Sequence, residues 1–140
     1  MNTIIEHAKQ QLNARHIPQD VVSVCHAIMD HVAKAPNIHK HLTFLDLYRI
    51  SPSVPDDVFY DAVFLLTKHP YNILIQNFEA LNSRGVYQVV PDREQLLEDM
   101  KNDDFNNPFT GQQLSEAEFG NQVLTFFSPS KELLTAVDYA

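Results

Sequence analysis

Glycine is scarce in this sequence: Gly85, Gly111 and Gly120 are the whole supply. A phosphate-cradling loop needs several glycines close together, so no Gly-rich nucleotide motif is available. Cysteine is scarcer still. With Cys25 alone, an internal disulfide is excluded, and a reducing cytoplasm is the expected setting. No apolar run approaches the length of a membrane span. The first ten residues hold no basic segment followed by an apolar stretch, so they do not read as a signal peptide. Positive charge is also short. Ten Lys and Arg face eighteen Asp and Glu, for a net charge of −8. Residues 52–140 carry five basic against fourteen acidic side chains, a balance of −9. Phosphate backbones repel such a chain, so a protein partner with a basic surface is expected rather than nucleic acid.

What is present suffices for a core. At 16.0 kDa and 44% apolar residues, a single domain over 1–140 would bury about two-thirds of its surface on folding. No metal or disulfide is needed to staple it, and no cofactor is expected.

The hydrophobic pattern is mostly helical. Ile5, Ala8 and Leu12 share one face of a first helix, which Pro18 ends. Val21, Cys25, Ile28 and Val32, widened by Val22 and Met29, form the clearest stripe, over 18–35. Thr43 and Asp46 have capping-box spacing and open a short helix that should bury Phe44, Leu47 and Tyr48. Pro55, Asp56 and Asp57 suit the start of a helix over 56–68, with a buried face of Val58, Phe59, Ala62, Val63, Leu65 and Leu66.

The period then changes. Residues 71–80 and 86–90 read as strands of a hairpin turning at Asn82 to Gly85. Asp92 and Gln95 open another helix. Residues 102–115 form a long irregular stretch. Ser115 and Glu118 cap a helix expected to carry Phe119, Val123, Phe126 and Phe127, and a last helix uses Leu133, Leu134 and Val137. The expected fold class is mostly α, of the α+β type.

The order helix, short helix, helix, hairpin over residues 18–90 resembles a winged helix-turn-helix domain, with 91–140 as a C-terminal extension. The resemblance is one of element order. It implies that Asp56 to His69 is the recognition helix and Asn82 to Gly85 the wing tip. It also implies either DNA binding, as a transcriptional regulator, or docking and dimerisation. Asp56, Asp57 and Asp61 load the third helix with the wrong charge for a major groove, and the wing tip offers only Arg84. Docking is the expected use, as a small subunit or adaptor, with a homodimer as a further option.

No residue cluster points to catalysis or a metal. His26 and His31 are five apart on a helix, where zinc pairs prefer three or four. Cys25 belongs to the apolar stripe and cannot pair with adjacent His26. Asp56-Asp57 and Glu98-Asp99 read as a helix start and a solvated face. The irregular stretch is more informative, because long loops are often functional. Phe105, Asn107 and Phe109 lie there among acids and amides. Both rings are either anchors folded onto the core or hot-spot aromatics for a partner.

Overall fold

The computed structural model describes the chain from 3 to 138, apart from residue 37, and the side chains from 4 to 135. Its elements are α1 (Thr3–Ala14), α2 (Gln19–Lys34), α3 (Phe44–Ile50), α4 (Asp56–Leu65), β1 (Leu74–Leu81), β2 (Tyr87–Val89), α5 (Arg93–Lys101), α6 (Glu116–Gln122), β3 (Val123–Pro129) and α7 (Lys131–Asp138). The fold is α+β. The three strands form one antiparallel sheet in the order β2-β1-β3. Two compact units divide the chain, residues 1–75 with 127–140, and residues 76–126. No helix among the described residues is long and apolar enough to cross a membrane.

The first unit is organised by α2. Val21, Val22, Val24, Cys25, Ile28, Met29 and Val32 are all buried, as the stripe requires. The main packing partner is α4, through Phe59, Ala62 and Val63. The Cys25 thiol donates to the Ala62 carbonyl at 3.6 Å, and burial pushes its pKa up to about 12. Such a thiol stays protonated and inert. The capping box at α3 is complete, with Thr43 and Asp46 each satisfying the other's backbone N–H.

The second unit has its own core of Phe78, Ala80, Val90, Leu96, Leu114, Phe119 and Val123. Its hairpin pairs Glu79 with Val89, Ala80 with Gln88 and Leu81 with Tyr87. Asn82 organises the turn. Its Oδ1 accepts from the backbone N–H of Arg84 and Val86, and Gly85 takes φ +74, a left-handed value that side chains disfavour. Asp92 caps α5 by accepting from the Gln95 N–H. Ser115 and Glu118 form the expected capping box.

Two expectations about elements fail. The helix begun at Ser115 does not reach Phe127. It stops at Gln122, and residues 123–129 form a strand. Phe119, Val123, Phe126 and Phe127 fit a helical face by spacing, but Val-Leu-Thr-Phe-Phe is a β-favouring run, and β1 offers it a ladder. Tyr48, expected inside, is 46% exposed, while Leu47 is fully buried. The expected role of Val137 lies outside the described side chains.

Candidate partner-binding surface

The residues singled out by sequence fall in two places, and they behave differently. Around Phe105 and Phe109 the loop is built inward. Leu114 donates to the Phe105 carbonyl, Asn107 to the Gln112 carbonyl and Gly111 to the Asn107 carbonyl, so the stretch is a small closed hairpin. Both rings are half-buried against the second core, and Phe105 lies 5.2 Å from the Phe119 ring.

Asn107 is 1% exposed. Its Nδ2 donates to the Leu81 carbonyl at 2.8 Å and to Gln122 Oε1 at 2.9 Å. Its Oδ1 accepts from the N–H of Phe109 and of Thr110. All the side chain's bonding capacity is therefore spent inside. The expectation that Asn107 contacts a partner is corrected: it ties the loop to the ends of β1 and α6.

The acidic residues of α4 stand in a different setting. Asp56, Asp57 and Asp61 are all exposed; Asp57 and Asp61 lie on the side of the helix away from the buried Phe59, Ala62 and Val63, and Asp56 lies in its first turn. Tyr60 lies among them and is 45% exposed. Residues three and four apart are neighbours on a helix, so Asp56 and Asp57 flank the Tyr60 ring one turn back. From α3, Leu45 (56% exposed) and Tyr48 add apolar surface. The rings form a connected seam. Tyr48 lies 5.3 Å from Phe59, Phe59 lies 5.4 Å from Tyr60, and Tyr60 lies 5.3 Å from Phe44. Phe44 in turn meets Phe127 at 5.1 Å, edge to face. Two exposed tyrosines are thus braced by the core itself, which lowers the entropy lost when a partner covers them.

Sequence reasoning named the acids here and missed Leu45, Tyr48 and Tyr60. The signal existed for Tyr60, which lies off the 59, 62, 63, 66 stripe and among three aspartates. Arg84, the remaining predicted contact, is exposed in the hairpin turn of the second unit.

No known protein family, characterised protein or solved structure matches this chain. Its chemistry must be read from its own residues. Among the described residues no group of three or more His, Cys, Asp or Glu could hold a metal ion. His31 and His39 stack with ring centroids 4.2 Å apart. Burial, His39 and Lys34 together lower the pKa of His31, which favours the neutral ring. A cleft of about 480 Å³ in the first unit is lined by Ile4, His7, Pro70, Tyr71, Asn72 and Glu132. The Tyr71 hydroxyl is enclosed without a hydrogen-bond partner, so it is not presented to a ligand in that cleft. The aromatic and acidic face of α3 and α4 is the stronger candidate.

Proposed function

We propose that this protein is a non-catalytic docking module, a small subunit or adaptor that seats a basic, partly apolar segment of a larger protein on α3 and α4. The observation that carries the reading is the pair Tyr48 and Tyr60, exposed and core-braced, beside Asp56, Asp57 and Asp61. Tyrosine is the residue type that interface hot spots favour, and a rim of one charge selects a partner of the other. The winged-helix resemblance supports docking better than DNA reading, because α4 would bring three carboxylates to a phosphate surface.

The experiment is a fluorescence-anisotropy titration with labelled amphipathic peptides, basic and acidic versions of one apolar pattern, and with a labelled DNA duplex. The basic peptide should bind, with affinity falling as salt rises. Tyr60→Ala and Tyr48→Ala should each weaken it about thirtyfold, the hot-spot threshold of about 2 kcal/mol. Equal binding of both peptides, or binding indifferent to the tyrosines, would remove this face from consideration. Tight, salt-sensitive duplex binding would return the DNA reading to first place.

A further inference from the structure

We infer that the stacked rings of His31 and His39 form a pH-sensitive clasp, which holds the connection between α2 and α3 at neutral pH and releases it in mild acid. The clasp lies in the first unit and does not depend on the docking reading of α3 and α4. His31 stands in the last turn of α2. His39 stands in the connection. The two half-buried rings lie 4.2 Å apart between centroids, tilted by 36°.

The backbone bonds in the middle of this connection are local. The Ile38 and His39 N–H groups donate to the Ala35 carbonyl at 3.0 and 3.2 Å, and the Lys40 N–H donates to the Ile38 carbonyl at 2.9 Å. Ile38 is 78% exposed, so its apolar side chain does not seat the segment, and Lys40 and His41 are exposed as well. Firm anchors come at the two ends. Pro36 is buried, and Leu42 exchanges both backbone hydrogen bonds with Phe127, at 2.8 and 2.7 Å. Between those ends, the connection reaches α2 through the His39 ring.

Histidine is the side chain whose charge changes between about pH 5 and 8. With one proton the stacked pair carries a single charge and no internal repulsion. With two, like charges at this spacing disfavour the closed pair about tenfold at a protein surface. The other charged groups that act on His31 are Lys34, on α2 itself, and Asp46, on α3. Lys34 adds to the repulsion. Asp46 opposes it, but its carboxylate already accepts from the Thr43 N–H at 3.0 Å and also faces Arg49 and His41. Burial, His39 and Lys34 hold the His31 pKa below its ordinary value, as a closed clasp requires. The second proton therefore enters by parting the rings, which lets water solvate both cations. The closed form is complete above the ordinary histidine pKa, near about 6.5, and is lost as pH falls below it.

Nuclear magnetic resonance of the full chain tests the clasp. In wild type a ring-to-ring NOE between His31 and His39 should be present at about pH 7.5 and at least about fivefold weaker at about pH 5. His39→Phe keeps an aromatic stack without a second charge, and a cation over a phenyl face is attracted. Its NOE to the His31 ring should therefore hold in acid. In His39→Gln the His31 ring should take its proton at a higher pH than in wild type. Circular dichroism at both pH values separates local release from global unfolding. Four outcomes would overturn the proposal: no ring NOE at neutral pH, an NOE undiminished once both rings are protonated, equal loss in His39→Phe, or a His31 titration unmoved by His39→Gln. Loss of the NOE only together with global unfolding would overturn it too.

Discussion

The two units solve the same stability problem with different materials. Residues 1–75 and 127–140 hold all seven histidines, seven of the ten basic residues and no glycine. Seven bases against nine acids leave that unit at −2, whereas three against nine leave residues 76–126 at −6. The first is an apolar assembly around α2, whose seven buried residues are Val, Ile, Met and Cys; its buried polar residue among those described, Ser130, only accepts locally from the Leu133 N–H. The second is smaller, contains all three glycines and closes its core with a buried amide, Asn107. Non-directional burial needs only pattern, but a polar tie needs four partners at defined positions. Damage should therefore spread differently in the two.

Ile28→Ala breaks the first unit at its centre. Ile28 is fully buried, and its loss should cost about 2–5 kcal/mol through lost transfer energy plus a cavity. In the second unit Asn107→Ala should cost about 2–4 kcal/mol. It deletes four hydrogen bonds and leaves the Leu81 carbonyl and two loop N–H groups without their partner. Urea unfolding measures both, and hydrogen exchange separates them. Ile28→Ala should lower protection in α2 and α4, and Asn107→Ala in residues 105–114 and the end of β1. Asn107→Ala acting like a surface change would show that the loop is not held by this amide.

Legibility in the sequence followed the same division. Apolar spacing gave the α2 stripe residue by residue, because a helix must bury one face whatever surrounds it. Three capping positions, Thr43, Asp92 and Ser115, were readable because a cap is a local transaction between residues three apart. The strand over 123–129 was hidden, since its existence depends on β1 being available nearly fifty residues earlier. Asn107 is conspicuous in the sequence, but its inward role is not. Nothing in Asn-Asn-Pro says which amide turns inward, and its partners Leu81 and Gln122 are distant in sequence. The candidate face was half legible: the aspartates stood out by charge, while Tyr48 looked buried because Leu47 beside it takes the core position.

The glycines give a smaller effect with opposite signs inside one unit. Gly85 and Gly111 have φ of +74 and +73, and nothing would crowd an added Cβ at either. The cost of alanine there is purely conformational, about 1–2 kcal/mol. Gly120, in α6, also has open space and no positive φ. Gly120→Ala should stabilise by about 0.5–1 kcal/mol, because glycine is a poor helix former. Thermal melts of the three variants suffice. A gain at 85 or 111 would mean that the turns relax to a different backbone.

The smallest effect is a pH dependence confined to the first unit. His31 and His26 both have lowered pKa values. For His31 the causes are burial, then His39 and Lys34, with Asp46 opposing. For His26 they are burial, then Lys9, with Asp30 opposing, and its buried Nε2 has no hydrogen-bond partner. A lowered histidine pKa means that the unfolded chain binds protons more readily than the folded one. Stability is then complete above the ordinary histidine pKa, near 6.5, and declines as pH falls below it. Asp46 reinforces the trend at lower pH. The Thr43 N–H lowers its pKa, so its contribution is lost as its carboxylate is protonated. Residues 76–126 contain no histidine and should be indifferent between pH 7 and 5.5. Hydrogen exchange at the two pH values, corrected for intrinsic rates, should show protection falling in α2 and α3 and holding in β1 and β2. His31→Gln should flatten the first response without touching the second. A uniform loss across both units would mean that they unfold as one cooperative body, and the contrast drawn between them would hold for composition but not for stability.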